Sequence, residues 1–139
     1  MSKKNSTPIK KSAGVLLLRE NRGEILLLAL VGRTSYDLPK GGIRDGESAF
    51  KAAKRELLEE TGISEVSWDL MGETSFKVCY ALRNNVVKEV TFFVASTTQS
   101  KVQVSDEHQS YKWLTLDEAR ICLPERFQEV VDWLENVFR

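Results

Sequence analysis

The segment from Gly41 to Ile63, GGIRDGESAFKAAKRELLEETGI, constrains this chain more than any other. At about 100° per residue, a helix over residues 48–61 places Glu59, Glu56 and Glu60 at about −60°, 0° and +40°. Ala53, Leu57 and Phe50 follow at about +60°, +100° and +120°, so an apolar stripe borders the acidic one. Gly62 stands where a helix stop is expected. Such a helix can lay its apolar stripe on a core and hold three carboxylates at the rim. Two local rules oppose that placement. Like charges four residues apart cost a few tenths of a kcal/mol, and acids in a last turn meet the negative end of the helix dipole, at up to about 1 kcal/mol. Two explanations stand at this point. One is a solvated face on which Lys54 or Arg55 offsets the repulsion. The other is a site for a hard divalent cation, Mg²⁺ or Mn²⁺, for which clustered oxygen ligands are suited. A single histidine, His108, gives zinc poor support.

Around this segment the chain reads as one mixed α/β domain over residues 12–139, with residues 1–11 as a flexible basic tail. Ala13–Leu18 and Glu24–Leu30 are apolar runs around an Asn/Gly turn, as in a hairpin of buried strands. Residues 31–46 are turn-rich. Val66–Arg83 holds two expected strands broken near Gly72, Asn84-Asn85 marks a turn, and Lys88–Ser96 has strand composition. Tyr111–Leu114 is a last short strand. Thr115 starts a helix with Glu118 as its capping-box partner. Pro124 is placed near the first turn of a terminal helix with apolar positions Phe127, Val130, Val131, Leu134, Val137 and Phe138.

Length and charge narrow the function classes. At 139 residues the chain can bury a core without disulfides or a structural metal. Twenty basic residues balance twenty acidic ones, which argues against nucleic acid as a partner. No apolar run approaches the roughly 18 residues of a membrane-spanning helix, and the start has no stretch resembling a secretory signal. Cys79 and Cys122 form no CxxC pair, so a reducing, cytoplasmic setting is expected. The expected partner is a small molecule, with no membrane involved and the protein a monomer.

Taken whole, the segment resembles the signature of the Nudix hydrolase family, G-x5-E-x7-R-E-U-x-E-E-x-G-U, where U is a bulky aliphatic residue. Gly41, Glu47, Arg55, Glu56, Leu57, Glu59, Glu60, Gly62 and Ile63 satisfy its fixed positions without a gap. The resemblance implies an α/β/α sandwich around a mixed sheet and hydrolysis of a phosphoanhydride. It implies Mg²⁺ or Mn²⁺ held by Glu56, Glu59 and Glu60, with Glu47 a further acid and Arg55 orienting Glu56. Helical spacing does not put Glu47 on that face, so the loop before the helix would have to fold back and deliver it.

Two further segments look like the asymmetrically cleaving diadenosine tetraphosphate hydrolases. These are Tyr36-Asp37-Leu38-Pro39-Lys40-Gly41-Gly42 and the stretch Ser105 to Leu114, SDEHQSYKWL. Tyr36 stands where those enzymes often have tryptophan, and Gly42 where many have histidine. The likeness implies that Lys40 contacts phosphate and that Glu107 is a metal ligand or general base. It also makes Tyr36 and His108 substrate contacts, with Tyr80 and Phe127 stacking on adenine. Each has a plainer structural reading, as a loop lysine, surface acid or core ring. Trp68, Trp113 and Trp133 are expected to pack. The other activities to weigh are pyrophosphohydrolysis of diphosphoinositol polyphosphates, nucleoside triphosphates or capped RNA, and a Nudix binding module without turnover. The intact acid set argues against the last.

Overall fold

A computed structural model of the chain describes residues 7–138. Strand β1 runs Ile9–Asn21 and β2 Glu24–Val31, joined by the two-residue turn Arg22-Gly23 in the expected hairpin. After them come β3 (Tyr36–Asp37), β4 (Lys40–Gly42), α1 (Ala49–Thr61), β5 (Ser67–Trp68) and β6 (Ser75–Ala81). The chain ends with β7 (Val87–Ser96), β8 (Ser110–Thr115), α2 (Leu116–Cys122) and α3 (Gln128–Val137). Among the described residues, no helix is long and apolar enough to cross a membrane.

The strands form one mixed sheet of eight, along the path β3-β2-β1-β7-β5, with β4 also on β1, β6 on β7 and β8 on β2. β1 and β7 pair in parallel from Ile9–Val87 to Leu18–Ser96. On its other edge β1 changes partner, pairing β4 through Ser12–Gly14 and β2 from Leu18 onward. An uninterrupted apolar run suits this central strand, because both of its faces are covered. Ala13, Val15 and Leu17 pack with Ala52, Ala53 and Leu57 of α1. Leu16, Leu18, Val90 and Phe92 pack with Phe127, Val130, Val131 and Leu134 on the other side. The layers are thus α1, sheet, and α2 with α3, the sandwich that the signature implied.

The helix boundaries follow local chemistry. Ser48 Oγ accepts a hydrogen bond from the Lys51 amide at 3.1 Å and caps α1. Gly62 ends it at φ 72°, its amide bonded to the Leu58 carbonyl at 2.9 Å. Thr115 and Glu118 make both bonds of the capping box of α2, at 3.0 and 2.9 Å.

Three expectations need correction. Residues 9–11 are strand rather than tail, because Ile9, Lys10 and Lys11 pair with Val87, Lys88 and Glu89; residues 1–6 lie outside the described residues. The turn-rich stretch holds β3 and β4, which are too short to show periodicity. Pro124 caps a short 3-10 turn, Glu125–Phe127, rather than α3 itself, and Val137 on the helix's apolar stripe is half-exposed.

Candidate active site

The three acids of α1 differ in burial in the order their angles set. Glu60, nearest the apolar stripe, is 6% exposed, Glu56 is half-buried and Glu59 is exposed. Glu60 Oε1 accepts one hydrogen bond, from the Lys40 amide at 3.1 Å. Burial therefore dominates and pushes its carboxyl up to about 8. Glu56 is also raised by burial, with Arg55 opposing.

Arg55 is the hub of this face. Its Nε and Nη2 donate to the two oxygens of Glu47 at 2.8 and 2.9 Å, and Nη1 donates to Glu56 Oε2 at 2.7 Å. Nη2 also donates to the Gly42 carbonyl at 2.8 Å, and Nη1 reaches Glu59 at 3.4 Å. The loop does fold back as required, and it delivers Glu47 to Arg55. Hydrogen bonds from Arg55, then from the Arg44 amide, hold the Glu47 carboxyl down at about 2. Glu47 thus acts on the helix acids through the guanidinium. Gly41 is needed for space, since a Cβ there would fall on the Glu56 carboxylate.

On the other side of β4, Lys40 connects the helix acids to a second cluster. Its ammonium lies 3.2 Å from Asp37, whose carboxylate also accepts from the Leu38 amide at 2.8 Å and faces His108 Nε2 at 3.5 Å. Burial works to raise Asp37, but the Lys40 charge and these hydrogen bonds outweigh it, so its pKa lies below the ordinary value. The His108 side chain is 7% exposed and its Nδ1 has no hydrogen-bond partner among the described residues. Nothing in the sequence singled out Asp37 for this role. Its only local signal is the three-residue spacing from Lys40.

Glu107 and the helix acids come together. Glu56, Glu59, Glu60, Ser105, Asp106 and Glu107 line a cleft of about 320 Å³. Asp106 is an addition that the sequence did not suggest. A larger hollow of about 650 Å³, lined by Glu20, Glu65, Ser96 and Thr97 among others, holds none of the motif residues. Tyr36 is half-buried against the core cluster beneath α2 and α3 and is not among the residues lining the acidic cleft. Tyr80 is half-buried, edge-on to Phe127 at 6.1 Å. Phe127 is corrected from stacker to core residue. It is 0% exposed, enclosed by Phe92, Tyr80 and the Arg126 guanidinium, and it has no free face for a base. The tryptophans pack as expected: Trp68 on Phe50, Trp133 on Phe76, and Trp113 against the α1-side core.

The acidic cleft suits a hard divalent cation. Every side-chain donor is a carboxylate or hydroxyl oxygen, and buried Glu60, which among the described residues accepts one hydrogen bond, from the Lys40 amide, is a carboxyl whose ionised form a cation would stabilise. Among the described residues, no three acids or histidines stand close enough to hold an ion as they are. Arg55 and Arg44 instead take up Glu56 and Glu59.

In sequence and fold the chain is similar to known proteins. The NUDIX domain family model matches residues 8–134. The rat protein named asymmetrical bis(5'-nucleosyl)-tetraphosphatase is 34% identical over 114 residues, covering 81% of this chain and 76% of that one. A Caenorhabditis elegans protein of the same name is 30% identical over 115 residues, covering 80% and 83%. The crystal structure of a C. elegans Ap4A hydrolase binary complex superposes with a TM-score of 0.82 at 25% identity, over 91% of this chain and 96% of that one.

Proposed function

The chain belongs to the NUDIX domain family and is a Nudix hydrolase, and on that premise we propose that it splits diadenosine tetraphosphate into ATP and AMP. One observation carries the substrate reading. The loop of the SDEHQ stretch brings Glu107 to the same cleft as the α1 acids. Relatives 30–34% identical over most of the chain carry the name of that activity.

Nudix hydrolases generally use divalent metals. Here Glu56, Glu59 and Glu60 would hold the ion, and its oxygen ligands favour Mg²⁺ or Mn²⁺. When bound, it supplies charge neutralisation at the phosphate oxygens. The chain's own residues do the rest. Arg55, fixed by Glu47, sets the orientation of Glu56. Lys40 is held by Asp37 through one ammonium, which has three protons to donate and keeps capacity for a phosphate oxygen. Glu107, exposed on its loop, accepts the proton of the attacking water. The half-buried face of Tyr80 offers the base an apolar surface. A monomeric, cytoplasmic enzyme fits the two free cysteines, Cys79 and Cys122.

A substrate panel with Mg²⁺ tests this reading. The highest kcat/KM is expected for diadenosine tetraphosphate, ahead of inositol pyrophosphates, nucleoside triphosphates and capped RNA. Preference for any of the others by tenfold or more would replace the proposed substrate.

A further inference from the structure

The loop over residues 105–109 carries Glu107 to the acidic cleft, and little of it is packed. Asp106, Glu107 and Gln109 are exposed. Two of its amides are bonded within the loop, Glu107 to Ser105 Oγ at 3.3 Å and His108 to the Ser105 carbonyl at 3.2 Å. The Gln109 amide donates to the Val31 carbonyl at 2.8 Å, which pins one end of the loop to β2. The enclosed side chain is that of His108, whose Nε2 faces Asp37 Oδ2 at 3.5 Å. Neighbouring side chains of the loop thus part, Glu107 to the cleft and His108 to β3. A carboxylate only accepts, so this contact puts the ring hydrogen on Nε2. With Nε2 turned to Asp37 and Nδ1 enclosed, neither ring nitrogen is left for a phosphate.

Asp37 is itself firmly held. Its backbone pairs with Leu30 of β2, and its Oδ1 accepts from the Leu38 amide at 2.8 Å. The Lys40 ammonium lies 3.2 Å from each of its oxygens. We propose that Asp37 is a positioning residue that ties His108, and with it the Glu107 loop, to Lys40. It rests on the roles given above to Lys40 and Glu107, and it adds that the two are set as a pair. Asp37 does not line the acidic cleft, so it acts through its two partners. Water attacking a phosphorus needs its base and the cation on the phosphate in one geometry, and a small displacement of either costs rate. One carboxylate that accepts from both sides supplies that geometry before substrate arrives. His108 then serves the reaction by holding the loop, not by touching the substrate.

The test compares the full-length wild type with Asp37→Asn, His108→Phe, Glu107→Gln and the double variant Glu107→Gln/His108→Phe. Phenylalanine keeps a ring in the enclosed place and removes both nitrogens. Asp37→Asn, at a half-buried position, breaks the same tie should His108→Phe fail to fold. Amide hydrogen exchange is read without added Mg²⁺, so that no cation holds the loop. The Glu107, His108 and Gln109 amides should exchange about tenfold faster in Asp37→Asn and in His108→Phe, with those of β1 unchanged. With diadenosine tetraphosphate and Mg²⁺, His108→Phe should lower kcat about tenfold and leave KM within about twofold. Asp37→Asn should lower kcat at least as far, because it releases Lys40 as well. In the Glu107→Gln background, His108→Phe should cost less than about twofold, since its effect passes through Glu107. Unchanged exchange in both single variants overturns the proposal, even if the wild type cleaves diadenosine tetraphosphate. A raised KM with unchanged kcat in His108→Phe also overturns it, by making His108 a substrate contact. Faster exchange in both variants of a protein that does not cleave diadenosine tetraphosphate supports the tie and removes the substrate.

Discussion

Glu60 carries the sharpest residue-level consequences. Its carboxyl is raised from 4.5 to about 8 in the folded protein, so the metal-free native state binds more protons than the unfolded chain between those values. The contribution of this group to stability is fully present below about 4.5 and is lost as pH rises toward 8. Thermal unfolding in EDTA should therefore show Tm declining across that window, with Mg²⁺ restoring most of the loss at pH 8. Glu60→Gln should flatten the metal-free decline. It should also lower turnover at saturating Mg²⁺ by about a hundredfold or more, through removal of a charged ligand. A variant of normal activity would take Glu60 out of the metal site. Glu107 makes a different prediction. As a proton acceptor it should, when changed to Gln, lower kcat by about 10²- to 10⁴-fold and leave KM within a few-fold. Losses below threefold at every pH tested would leave it a surface acid.

At the scale of elements, α1 was legible because its own sequence sets its burial. The angular order of Glu59, Glu56 and Glu60 against Ala53, Leu57 and Phe50 becomes the observed gradient from exposed to buried. The hairpin and the Thr115 cap are likewise local. What escaped depends on contacts distant in sequence. Asp37 gains its role from His108, 71 residues away, and no local pattern encodes that closeness. Lys10 looked like tail because lysines on an exposed strand edge resemble lysines in a solvated terminus. Phe127 fitted both a core stripe and a stacking wall, and packing by Phe92 and Arg126 decided between them. The junction of β4 with α1 gives its own test. Gly41→Ala places a methyl group on the Glu56 carboxylate, so kcat should fall tenfold or more. Tm should fall by only a few degrees, because β4 is short and lies at the rim of the core.

Over the whole molecule, β1 organises the sheet and the strand that carries Lys40. Its inner residues are shared between the two cores, and its partner change lets β4 sit beside it with α1 on one side and the Lys40–Asp37 pair on the other. The acidic cleft and the Lys40–Asp37 pair thus meet across a strand of three residues. On the proposed reading, one anhydride of the substrate lies at the carboxylates with the Lys40 ammonium beside it. Hydrolysis of diadenosine tetraphosphate in ¹⁸O-enriched water, with products separated and weighed by mass spectrometry, tests this directly. ATP and AMP are expected in equal amounts, with the solvent oxygen in AMP. Two molecules of ADP, or no hydrolysis under conditions where another pyrophosphate is consumed, would contradict it.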